Sequence, residues 1–186
     1  MLPAVAAGLR TRQLDRGLLG VEQLGLPPHD ALHYSFSMSM TVLAATAAIV
    51  VSGGALSAPK SLSRAELAGL LQTEAKARFH DQDWSCTGPR LATVLQAAGA
   101  AQPGELRGAA LAHGVIAEGA DGYRVFFSRG ELDEKLGNAP VIVALSCNGT
   151  AIADADGPVR LLSGGDQRGA RSVRQLVRLQ LVELPK

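Results

Sequence analysis

The sequence predicts one α+β domain over residues 46–186, with a mixed β-sheet core and a few short helices. Short runs of β-branched residues that end at Gly or Asn-Gly turns indicate strands. Two serines, each followed by a glutamate three residues later, carry the capping-box pattern of a helix start. Hydrophobic residues make up 47% of the chain and aromatic residues 4%, so the core of this globular domain should be aliphatic.

Helices are predicted at three places. The capping boxes place helix starts at Ser63 and Ser128, and the second of these helices should end near Gly137. Pro89 opens another helix, which ends at Gly99 and should pack its apolar face on the sheet. The polar segment that leads to Trp84 is assigned no regular structure.

Strands and hairpins account for most of the remaining domain. Asp-Gly at 121–122 and Asn-Gly at 148–149 are typical of tight hairpin turns. The predicted strands are 49–51, 111–118, 123–127, 141–146, 151–153, 159–162, 172–176 and 177–184.

Residues 1–45 are interpreted as an N-terminal extension. The apolar run 42–51 is too short to cross a bilayer. It is either the apolar part of a signal peptide, with Ala45 and Ala47 forming a cleavage site, or part of the first strand. Segment 33–37 carries no Lys or Arg, which speaks against a signal peptide. We expect a periplasmic or secreted protein in the first case and a cytoplasmic one otherwise.

Charge favours a small anionic ligand over a polymer. Eighteen basic and seventeen acidic side chains give a net charge of +1, which provides no broad field for nucleic acid or membranes. The basic residues are nevertheless concentrated in the last part of the chain. They are Arg160, Arg168, Arg171, Arg174 and Arg178.

The two cysteines, Cys86 and Cys147, lack the spacing of a metal site. Free thiols are favoured over a disulfide, because a chain that can bury an adequate core needs no covalent crosslink. Cys147 ends an apolar strand and is interpreted as a core residue.

The most informative segment is 157–178, where a predicted strand enters a glycine-rich loop. Glycines let backbone N–H groups approach an anion, and arginines offer paired donors to phosphate oxygens. The alternative is a hairpin with solvated arginines, which the residues alone favour. The candidate ligands of the loop are Arg168, Gly169, Arg171, Ser172 and Arg174.

The order of motifs resembles the oxidoreductase molybdopterin-binding family, which has a sulfite oxidase-like fold. In its C-terminal half, Asn-Gly at 148–149 is followed by GPVRL at 157–161 and GARSVR at 169–174. The ordered set, and no single motif, carries the resemblance over residues 46–184. Further pieces in family order lie at 50–53, 61–67, 87–91, 121–123 and 131–132.

The resemblance implies a molybdopterin cofactor, whose phosphate the family contacts with the basic and hydroxyl side chains of the GARSVR segment. Arg171, Ser172 and Arg174 inherit this role, with Arg168 and Gly169 beside them. Arg174 stands where lysine is usual, which keeps the charge and changes the geometry.

The sequence also departs from the family pattern. The cysteine that binds molybdenum in the family has no counterpart in segment 73–83, and Cys86 lies after Trp84, in the wrong place. We therefore assign no metal ligand and no catalytic residue, and whether the chain is an enzyme stays open. The group formed by His80, Asp81 and Asp83 is better explained by an exposed polar loop than by a metal or acid/base cluster.

Three hypotheses follow from these features. The chain is a molybdopterin-binding oxidoreductase-type domain, or a cofactor-free binding or interaction module that keeps the fold. The third alternative is a protein that binds another phosphorylated ligand with the same loop. None of them implies nucleic acid or a membrane span.

Overall fold

The computed structural model describes residues 48–54, 56–79, 81–100 and 106–185. The predicted extension 1–45 and His80 lie outside these ranges, so their interpretations remain predictions. In the described ranges, no helix has the length and apolar character to span a membrane.

Strands dominate the domain, and the helices are short. This confirms the predicted α+β class. The helices are α1 (Arg64–Ala68), α2 (Leu91–Ala97) and α3 (Arg129–Leu132). The strands are β1 (Ala48–Gly53), β2 (Lys60–Ser63), β3 (Gln72–Phe79), β4 (Gln82–Pro89), β5 (His113–Gly119), β6 (Arg124–Ser128), β7 (Val141–Ala144), β8 (Ser146–Cys147), β9 (Thr150–Ala151), β10 (Arg160–Ser163) and β11 (Leu176–Glu183).

The strands form three hydrogen-bonded groups. The largest has the order β2-β1-β11-β5-β6, in which β1 and β11 are parallel and the other neighbours are antiparallel. This confirms the predicted mixed sheet. A second sheet has the order β3-β4-β8-β9, and β10 pairs with β7.

Two apolar clusters hold these layers together. The larger lies under the five-stranded sheet and includes Leu91 and Val94 of α2, so the predicted packing of this helix on the sheet is confirmed. The smaller one includes Ala75 and Ala77 of β3 together with Leu162 of β10. It forms the interior beneath the candidate site.

Local signals placed α1 and α3 correctly. The Ser63 hydroxyl accepts a bond from the Glu66 amide, and the Glu66 carboxylate accepts one from the Ser63 amide in return. Ser128 and Glu131 repeat the arrangement. Hydrogen bonds from Ser63 lower the pKa of Glu66.

Hairpin chemistry was also predicted correctly at 148–149. Asn148 and Gly149 both have positive φ, at 51° and 75°, as a type I′ turn between β8 and β9 requires. The Asn148 side-chain oxygen also accepts a hydrogen bond of 3.0 Å from the Ser85 amide of β4. The turn is thereby fastened to the neighbouring strand.

Other predictions were wrong. The segment assigned no structure forms the long hairpin β3-β4, Pro89 ends β4 rather than opening a helix, and α2 starts at Leu91. Residues 172–175 are not a strand, although Val173 forms an isolated bridge to Leu161. The Ser128 helix is a single turn that ends at Leu132.

The expectation of free thiols was also wrong, because Cys86 and Cys147 form a disulfide. They face each other in the antiparallel pair β4-β8, which brings their Cα atoms to 4.0 Å. Adjacent strands place opposite side chains within bonding reach, and this depends on pairing between residues 61 positions apart.

Candidate functional site: an arginine-lined cleft

A cleft of about 980 Å³ lies between the β3-β4 hairpin and the loop that joins β10 to β11. Its aromatic wall consists of Phe79, Trp84 and Tyr123, and Cys147 also lines it. Asp81 and Asp121 are its acidic lining residues. The basic and loop residues at its surface are Arg78, Arg160, Arg168, Gly169, Ser172 and Arg174.

The loop is fixed from within by backbone bonds. Residues Gly169–Arg171 form a 3-10 turn, which the Ser172 amide closes by donating to the Gly169 carbonyl. Val173 and Leu161 then exchange two hydrogen bonds of 2.9 Å. The Tyr123 hydroxyl donates to the Ala170 carbonyl at 2.5 Å, so the β5-β6 hairpin holds the turn from the other side.

Glycine at position 169 is required by packing against Phe79. A β-carbon there would lie 2.1 Å from a ring carbon of Phe79. The Phe79 ring meets Trp84 edge to face at 5.4 Å, and the Arg160 guanidinium lies 4.9 Å above the Trp84 ring. Gly169 therefore lets the loop close onto the aromatic wall, which in turn positions Arg160.

Arg171 does not line the cleft, although the sequence predicted it as a phosphate ligand. Its Nε and Nη2 donate to the two carboxylate oxygens of Asp166 at 2.9 and 2.7 Å, and its Nη1 donates to Glu131 at 2.7 Å. These bonds raise the pKa of Arg171 and lower that of Asp166, against the opposing effects of burial. With its donors engaged by two carboxylates, Arg171 braces the loop instead of facing a ligand.

Ser172 does face the cleft. Its Oγ accepts a hydrogen bond of 3.1 Å from the Ser163 amide, which fixes the side chain at the start of the loop. Within the described ranges, its hydroxyl proton is donated to no acceptor. The proton is available for an anion.

The side chains of three arginines in the cleft form no ion pair or hydrogen bond within the described part of the chain; they are Arg160, Arg168 and Arg174. Burial lowers the pKa of Arg160, and the nearby charge of Arg174 lowers it further, while Asp156 acts in the opposite direction. Arg160 belonged to the basic residues predicted to favour a small anion but not to the predicted phosphate ligands. The sequence signal for Arg160 was its position at the start of the predicted strand in GPVRL. Side chains alternate along a strand, so Arg160 and Leu161 of β10 face opposite sides.

The cleft offers no clear metal site. Among the described residues, no group of three or more His, Cys, Asp or Glu side chains is arranged to hold a metal ion. Both sulfurs are joined in the disulfide, and Asp81 lies 3.4 Å from Arg78. The arrangement is suited to recognising an anion.

Comparisons with known proteins agree with the motif order. The family described as the oxidoreductase molybdopterin binding domain matches residues 49–186. The crystal structure of the sulfane dehydrogenase SoxCD from Paracoccus pantotrophus is similar, with a TM-score of 0.54 and 19% identity. That match covers 74% of this chain and 38% of the other, and at this identity it supports the fold alone. No curated protein matches. The chain belongs to the family of oxidoreductase molybdopterin binding domains.

Proposed function

We propose that the cleft binds a phosphorylated pterin of the molybdopterin type by its phosphate. The observation that carries this proposal is the set of arginines, Arg160, Arg168 and Arg174, which line one cleft without a described carboxylate partner. A phosphate between them would remove the repulsion between Arg160 and Arg174 and would accept charge-assisted hydrogen bonds. Ser172 adds a hydroxyl donor.

This proposal revises the predicted ligand set. Ser172 and Arg174 keep their direct role, and Arg168 and Gly169 remain at the cleft surface. Arg160 joins them, whereas Arg171 acts indirectly by holding the loop. Arg174, at the position usual for lysine, offers two parallel donors where lysine offers a point charge.

The molybdenum end of the cofactor fits these residues less well than the phosphate end. Bound molybdenum cofactor supplies oxygen-atom transfer at the metal in this class of enzyme. A cysteine donor must be a thiolate, and both sulfurs of this chain are in the disulfide. We therefore derive no catalytic step for this chain.

The disulfide favours a second candidate function, which is a binding module that keeps the fold without the cofactor. In that case the cleft would serve another anion or a protein partner. The two candidates differ in what the protein retains when it is purified from cells that make molybdopterin.

The test is to produce the full chain in such cells and to measure metal content and the fluorescent pterin released by oxidation. We expect bound pterin in the unmodified chain and a loss of affinity of about tenfold or more in Arg174→Ala, since a charged hydrogen bond contributes about 1.5–3 kcal/mol. Arg178→Ala is the matched control, because Arg178 pairs with Glu118 outside the cleft. Pterin-free protein, or equal affinity in both variants, contradicts the proposal and supports the cofactor-free module.

A further inference from the structure

We propose that the Cys86–Cys147 disulfide is a thiol-exchange site, attacked at Cys147 by small anionic thiols that enter the arginine-lined cleft. Cys147 is half-buried and lines the cleft, whereas Cys86 is 0% exposed. Arg160 and Arg174 line the same cleft. The exchange requires a cleft free of pterin, because the thiol and the pterin phosphate would meet the same arginines.

The two sulfurs differ in access. Cys86 lies in the smaller apolar cluster beside Ala75 and Ile142, so a nucleophile from solvent cannot reach it without opening the core. Cys147 lies at the end of β8, is only partly buried and lines the cleft. Attack is therefore directed to one sulfur of the pair.

The strands around the disulfide remain paired when it opens. On one side the Asn148 amide donates to the Ser85 carbonyl at 2.7 Å, and on the other the Leu145 amide donates to Thr87 at 2.9 Å. Neither bond depends on the sulfur link. The exchange can therefore proceed on the folded protein.

Charge selects the thiol. A cleft in which arginines outnumber the acidic residues Asp81 and Asp121 raises the local concentration of anions, and the thiolate is the form of a thiol that attacks a disulfide. A thiol that also carries a carboxylate, sulfonate or phosphate would be guided by Arg160 and Arg174. A positively charged thiol would be repelled.

The exchange is balanced as two displacements. A thiolate bonds to Cys147 Sγ, the bond between Cys147 and Cys86 breaks, and the Cys86 sulfur leaves with the electron pair and takes up a proton. A second thiolate then attacks the small-molecule sulfur and displaces Cys147. Two external thiols are oxidised to one disulfide, and the protein disulfide is reduced.

The apolar surroundings of Cys86 stabilise its neutral thiol better than its thiolate. The released Cys86 stays next to Cys147 and can attack the mixed disulfide again. This attack requires the less favoured thiolate form of Cys86, and it makes the exchange reversible.

The first experiment compares two thiols on the oxidised full chain, mercaptoethanesulfonate, which is anionic, and cysteamine, which is cationic. Alkylation of the released thiols followed by mass measurement gives the rates, which are compared per thiolate. We expect the anionic thiol to react roughly tenfold faster at low salt, with the preference falling as salt is added. Arg174→Gln should lose most of the preference, and Arg178→Gln should keep it.

A second pair of variants tests which sulfur reacts, without relying on the arginines. Cys86→Ser leaves Cys147 alone in the cleft, and Cys147→Ser leaves Cys86 alone in the core. An anionic aromatic disulfide reagent should modify the first variant rapidly and the second only slowly. Equal rates for the two thiols, the reverse order in the variants, or reduction only in denaturant would each overturn the proposal.

Discussion

The arginines of the five-stranded sheet and those of the cleft differ in their contacts with carboxylates. On the sheet, Arg124 and Arg178 flank Glu118, at 3.9 and 3.5 Å. In the cleft, no carboxylate of the described residues contacts the side chains of Arg160 and Arg174, and their two positive charges repel each other. Exposed ion pairs contribute little to stability, whereas cations that share a concave site without a carboxylate in contact are the observation on which the proposed anion binding rests.

The largest effect should come from the sheet. Leu179 on β11 is 0% exposed within the larger apolar cluster. We expect Leu179→Ala to lower the free energy of unfolding by about 2–5 kcal/mol, measured by urea denaturation. Anion affinity of the folded fraction should be unchanged, and a matching loss of affinity would show that sheet and cleft are not separable.

The next effect should appear in binding alone. Arg174→Ala should weaken the affinity for a phosphorylated pterin by about 1.5–3 kcal/mol in a calorimetric titration. Its unfolding free energy should stay within about 0.5 kcal/mol of the parent, because no described residue is its partner. A large loss of stability would show that Arg174 supports the fold rather than the binding of a ligand.

Arg171 should behave as a scaffold residue despite its place in the loop. Arg171→Ala leaves Asp166 and Glu131 without their shared cation and should cost about 1–2 kcal/mol of stability, allowing for a side chain that is 42% exposed. Arg171→Lys should retain only part of this stability, since one ammonium group cannot reproduce the three donor positions of the guanidinium. Unchanged stability with lost phosphate affinity would instead support the direct role predicted from sequence.

The smallest effect should be a dependence on pH. The hydrogen bonds from Arg171 lower the pKa of Asp166 below its ordinary value of 3.8. The stability from this pair is therefore present above about pH 4 and is lost as pH falls through the lowered pKa. Denaturation at pH 5 and pH 3 should show a smaller acid-induced loss in Asp166→Asn than in the parent. An equal loss would contradict this assignment.

Features set by neighbouring residues were predictable from the sequence. The capping boxes at Ser63 and Ser128 and the Asn148-Gly149 turn need only local chemistry. Hairpin β3-β4 was missed although β3 alternates inward and outward residues, because its inward positions, Ala75 and Ala77, are small and poor strand formers.

Features set by distant partners were not predictable in the same way. The role of Arg171 depends on Glu131, 40 residues earlier, and the disulfide depends on the register of β4 against β8. Sequence spacing placed Arg171 and Arg174 in one loop, but the structure places only Arg174 at the cleft. It did not reveal that Arg160 would face the same cleft.

Strand β7 has a consequence for how this domain tolerates length changes. Val141 and Val143 contribute to the larger apolar cluster, while Ile142 and Ala144 contribute to the smaller one. Side chains alternate along a strand, so inserting or deleting one residue inside β7 would interchange the two sets and misfit both interiors at once.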